Sequence, residues 1–121
     1  MAFGKEIGDF SFKITSVSYD GDAGARLNVD GTATSYGTVL GTVALSGEPG
    51  ASGGSASWSG QGFLDGGEVV SAMGEGTWEE LGQHKWRTRM IIQVSDGQTF
   101  ASDGQLDLAS RSFKGKNLEW S

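Results

Sequence analysis

The sequence predicts an all-β protein, a single small antiparallel barrel of about eight strands in up-and-down order over residues 1–121. Three observations carry this. Apolar and polar residues alternate with period two, and Gly, Asp or Ser breaks the pattern about every ten residues. No window of 11 or more residues holds a helical period without a glycine. Glycines fall inside the strand patterns, at Gly31, Gly41, Gly60, Gly62, Gly74 and Gly76, where a sheet can bend sharply. Closure favours a barrel over a sandwich, because a small chain without disulfides would otherwise have to guard exposed strand edges. Short hairpin loops favour a meander over a Greek key.

The elements follow in order. Phe10, Phe12 and Ile14 alternate with Ser11 and Lys13, then the apolar set slips to Val17 and Tyr19, which predicts a β-bulge within the first strand. Asp20-Gly21-Asp22-Ala23-Gly24 reads as a turn, and Leu27, Val29, Gly31 and Ala33 continue the alternation in a second strand. A turn at Ser35-Tyr36-Gly37 leads to a third strand, Thr38 to Ser46. Gly47 to Gly54 is a Gly/Ser-rich loop, and a fourth strand covers about 55–64. Asp65-Gly66-Gly67 is a hairpin signal. The fifth strand, Glu68 to Glu79, sets Val69, Ser71, Met73, Glu75 and Thr77 against Val70, Ala72, Gly74, Gly76 and Trp78. After Leu81-Gly82-Gln83-His84 come Lys85–Val94, a turn at Ser95-Asp96-Gly97-Gln98, Thr99–Ala109 (with Asp103-Gly104 as a point of interruption) and Ser112–Trp120. Only Trp78-Glu79-Glu80-Leu81 has the pattern of a helical turn.

Composition narrows the function classes. The 36% hydrophobic content and six Phe, four Trp and two Tyr supply a core, which argues against disorder. No apolar run is long enough for a membrane-spanning helix. Met1 to Glu6 holds no apolar signal segment, so a cytoplasmic protein is expected. With no Cys, disulfides, thiolate catalysis and Cys-based zinc sites are excluded. Net charge is −6, with three basic against eleven acidic side chains in residues 1–84 and six against four beyond. That balance opposes phosphate-backbone and anionic-membrane binding, so neither nucleic acid nor membrane is expected as a partner.

The strand count, the size and the Gly-Thr repeats, Asp30-Gly31-Thr32-Ala33-Thr34, Gly37-Thr38, Gly41-Thr42 and Gly74-Glu75-Gly76-Thr77-Trp78, resemble the small barrels related to allene oxide cyclase. That superfamily includes plant cyclases, dirigent proteins, bacterial pericyclases and short bacterial proteins of unknown function. The likeness is architectural and transfers no catalytic residue. It implies an interior cavity for an apolar small molecule and a tendency to form homodimers or homotrimers. The shape is also lipocalin-like, but lipocalins carry Gly-x-Trp in the first strand, whereas Gly76-Thr77-Trp78 lies in the fifth.

Few residues offer chemistry. His84, the one histidine, sits in a turn where a solvated imidazole is the default, and no Gly-x-Ser-x-Gly elbow accompanies it. Asp20 and Asp22 have calcium-loop spacing without the remaining ligands, so no metal site and no cofactor are expected. Glu75, Arg87 and Arg89 are the candidate catalytic residues. Inside the barrel they would hold a carboxylate or enolate, with Glu75 as acid or base. The alternation opposes this, because Trp86, Thr88, Met90 and Ile92 form the more apolar set and send both arginines outward. The candidate ligand-binding residues are Tyr36, Trp58, Met73, Trp78, Trp86 and Met90, most of which equally suit a packed core.

The function expected is binding of an apolar or aromatic small molecule in the barrel interior. The alternatives are a cofactor-free cyclase or isomerase, which needs only a shaped cavity and an acid/base Glu, and an oligomeric scaffold without a ligand.

Overall fold

The structure, a computed structural model, describes residues 3–19, 24–48 and 50–120. Met1, Ala2, Pro49 and most of the turn expected at Asp20–Gly24 lie outside the described residues. Eight strands, β1 (Phe3–Tyr19), β2 (Gly24–Ala33), β3 (Gly37–Ser46), β4 (Gly53–Phe63), β5 (Val69–Gly82), β6 (Lys85–Val94), β7 (Thr99–Asp107) and β8 (Ser112–Trp120), form a closed antiparallel barrel. Every strand pairs with its sequence neighbours and β8 closes on β1. This is the predicted meander.

The bulge lies where the apolar slip places it. The β1/β2 register shifts between Ile14 and Ser16, so Ile14 lies opposite Val29 and Val17 opposite Leu27. Because directly opposed residues share a sheet face, both sets face inward. Three details of the strands are decided by the structure. β1 begins at Phe3, since residues 3–9 pair along β8 and need no apolar pattern of their own. β5 runs on to Gly82, past the expected limit at Glu79, and Trp78 to Leu81 are extended within it. Asp103-Gly104 does not interrupt β7, because Gly104 faces Thr88 and Gly115 in register.

The middle of the barrel is filled. Phe10, Phe12, Phe113 and Trp58 interlock there, with Trp58 stacked on Phe12 at 5.5 Å and 5° and Phe113 edge-on to Phe10 at 5.0 Å. Inward glycines make the room. A β-carbon on Gly60 would lie 2.5 Å from Cζ2 of Trp58, and one on Gly104 would lie 2.5 Å from Cε1 of Phe113. The same Trp58 ring covers Gly41. The strand glycines thus serve aromatic packing, with large side chains set against absent ones.

Chain alternation distributes the connections. The β1–β2, β3–β4, β5–β6 and β7–β8 connections share one end of the barrel, and the β2–β3, β4–β5 and β6–β7 turns share the other.

Candidate functional site

The two ends differ in what covers them. At the end carrying three turns, Tyr36 reaches from the β2–β3 turn and donates its hydroxyl hydrogen bond to Oε1 of Gln98, 2.7 Å away in the β6–β7 turn. These turns stand four strands apart in an eight-stranded barrel, so the bond crosses the mouth along a diameter. The Tyr36 ring lies against Phe100 at 6.2 Å. Burial, and secondarily the Asp96 carboxylate, raise the Tyr36 pKa above its ordinary value and keep the hydroxyl a donor. The cavity beneath has a volume of about 60 Å³, with Val39, Val70 and Val94 in its wall and Ser102 and Asn117 as its buried polar groups. Ligand sites run to ~300 Å³ and more, so this space is far too small for one.

Among the described residues, the opposite end is open. A cavity of about 570 Å³ runs into the barrel there. Its wall is mainly apolar, with Val17, Leu27 and Leu45 from the inward rows of β1 to β3 and Trp78 and Trp86 from β5 and β6. Both tryptophans are half-buried. The indole of Trp78 donates to the backbone carbonyl of Ser46 at 2.9 Å, which fixes the ring at the start of the β3–β4 loop. Glu48 and Arg111 stand at the rim.

The candidate residues are therefore divided. Trp58 and Met90 are buried core that borders the small cavity, together with Tyr36. Trp78 and Trp86 line the open mouth. Met73 does not belong with them. It lies opposite Ser59 and Gln93 on the outer face and is 70% exposed, because it shares the face of Glu75 and not of Gly74.

Glu75, Arg87 and Arg89 also face outward, as the alternation favours, and border an outer groove of about 310 Å³. The interior acid/base alternative is therefore not formed, because the strict pleat places Trp86, Thr88 and Met90 inside and sends both arginines outward. Glu75 is not the partner of either arginine, since it lies opposite Ile91. Arg87 instead forms a forked pair with Asp103, Nε to Oδ1 at 3.0 Å and a second bond at 2.6 Å, and Arg89 meets Glu79 at 3.1 Å. The bonded Asp103 carboxylate raises the Arg87 pKa, so the guanidinium stays charged.

His84 is exposed and has a left-handed backbone (φ 57°), and its carbonyl accepts from the amide of Leu108 at 3.0 Å. Among the described residues, no three His, Cys, Asp or Glu side chains cluster to hold a metal, and no helix is long and apolar enough to cross a membrane. Arg111 and the aliphatic wall of the mouth escape a reading of the sequence, because they come from the ends of different hairpins. The usable signal was the chain alternation that puts four connections at one end. Comparison of this chain with protein-family models, with curated proteins and with solved structures finds no match.

Proposed function

We propose that the protein binds a small apolar or aromatic molecule in the open end of the barrel. The observation that carries this reading is the 570 Å³ mouth with Trp78 and Trp86 in its wall. Its size falls within the ~300–1,000 Å³ of small-molecule sites, and a mostly apolar wall holding two indoles gives a planar ligand surface to bury against. The packed centre and the bridged far end leave the mouth as the part of the interior with room for such a ligand. Its floor is packed, because the aromatic cluster of Phe10, Phe12, Trp58 and Phe113 fills the barrel beneath it.

The test is an NMR titration with indole-3-acetamide, a neutral planar probe of suitable size. At ~0.3 kcal/mol per heavy atom its dissociation constant should be on the order of 1 mM or tighter. The indole N–H signals of Trp78 and Trp86 should shift in a saturable way while that of buried Trp58 stays in place. Absence of any saturable shift, or a shift at Trp58 alone, removes the reading.

A further inference from the structure

Resting on that reading, we propose that the ligand of the open mouth is an aromatic carboxylate, with its ring against the Trp86 side of the wall and its anionic group held by Arg111.

The argument starts from how the arginines are partnered. Arg87 and Arg89 are neutralised on the outer face by Asp103 and Glu79. Arg111 borders the mouth and has no acidic partner among the described residues. Its side chain is nevertheless held. One terminal nitrogen, Nη1, donates to the carbonyl of Leu108 at 2.9 Å, within the same β7–β8 turn. A guanidinium carries five N–H donors, so this tether orients the fork and leaves most of it to bind a ligand. Holding the group in advance lowers the ordering cost of binding.

The backbone supports the same placement. Arg111 has φ 54°, a left-handed conformation that an L-residue with a long side chain seldom adopts. Two bonds hold it there. The Arg111 amide donates to the Leu108 carbonyl at 3.3 Å, and its carbonyl accepts from the amide of Ile14 at 2.8 Å, tying the turn to β1 at the bulge. The turn is also joined to the β5–β6 turn through Leu108 and His84, next to the strand of Trp86. Trp86 lies opposite Leu106 on β7, so the indole and the guanidinium occupy neighbouring sectors of the rim.

Among the described residues, the acidic side chain that lines the mouth is Glu48, and it lies elsewhere. Glu48 belongs to the β3–β4 loop, four strands round the barrel from the β7–β8 turn and hence across the opening from Arg111. A ligand with its ring on Trp86 and its carboxylate on Arg111 keeps the width of the mouth between its charge and that of Glu48. The guanidinium fork matches the two oxygens of a carboxylate, which selects this anion over a neutral isostere.

The experiment compares indole-3-acetate with its neutral isostere indole-3-acetamide by calorimetry, on the full chain at low salt. The acetate should bind about ten-fold tighter, the worth of a charge-assisted hydrogen bond in a partly open site. Arg111→Gln should bring the acetate to the affinity of the amide and leave the amide unchanged. Lys114→Gln, which removes one positive charge from the outer face, should preserve the preference. Arg111→Lys keeps the charge without the fork and should give an intermediate preference, which maintains the test if the Gln variant folds poorly. Equal binding of the two probes by the unmodified protein, or a preference that survives in Arg111→Gln, overturns the carboxylate inference and leaves the mouth as a neutral site. Failure of both probes to bind overturns the mouth reading itself.

Discussion

Thr88 shows what the barrel interior asks of a single residue. It is fully buried on the inward row of β6, and its hydroxyl oxygen has no hydrogen-bond partner. Its cross-strand neighbours are Trp78 and Gly104, neither of which turns an acceptor or donor toward it. A buried hydroxyl without a partner costs ~1–3 kcal/mol of desolvation, and a methyl group of similar shape avoids it. Thr88→Val should therefore raise the stability by about 1 kcal/mol, seen as a higher urea midpoint with an unchanged slope. A lower midpoint would show that the hydroxyl has a partner after all. The inward direction of Thr88 was legible from its alternation with Arg87 and Arg89. Its missing partner was not, since that depends on which groups of β5 and β7 come opposite.

At the scale of the strand, the pleat converts residue order into two surfaces with different tasks. On β6 the inward row is Trp86, Thr88, Met90, Ile92 and the outward row carries Arg87 and Arg89. The arginines find Glu79 on β5 and Asp103 on β7, so a ladder of opposite charges runs across three strands. These side chains are roughly 34–48% exposed, and pairs of that kind contribute little each. A double-mutant cycle on Arg87 and Asp103 should give a coupling of about 0.5–1 kcal/mol, favoured by the forked geometry and reduced in 1 M salt. A coupling of several kcal/mol would mean the pair is shielded, for instance by a second protein on this face. The bulge in β1 was legible because the apolar set changes parity at Thr15. The start of β1 at Phe3 was not, because Gly4 to Asp9 carry no alternation and are drawn into the sheet by β8, more than a hundred residues away in sequence.

For the whole molecule the main feature is the contrast between its ends. The Tyr36–Gln98 bond joins turns on opposite sides of the barrel, and it holds only while Tyr36 keeps its proton. The folded state raises the Tyr36 pKa above 10.0, so folded protein retains a proton that the unfolded chain releases. The linkage sign is then fixed: this contribution is complete below pH 10 and is lost as pH rises through the higher folded value. Tyr36→Phe should lower the stability at pH 7 by about 1 kcal/mol, the typical worth of one hydrogen bond, and should flatten the fall in stability above pH 10. Denaturant titrations at pH 7 and pH 10.5 on both proteins check this, and an identical alkaline loss in the variant would assign that loss to another group.

From the residues alone came the strand class, the meander, the bulge, the outward arginines and the inward row of β6. Each follows from local rules, the period of two and the turn chemistry of Gly, Asp and Ser, which act over a few neighbouring residues. Only the closed barrel decided which aromatic rings fill the centre, that Met73 stands outside, and that Tyr36 spans one end while Trp78, Trp86, Glu48 and Arg111 surround the other. Those facts depend on register summed round eight strands and on the space that Gly41, Gly60 and Gly104 leave for rings on other strands. Distances between hairpins arise only when β8 meets β1, which is why the candidate site became visible in the fold and not in the chain.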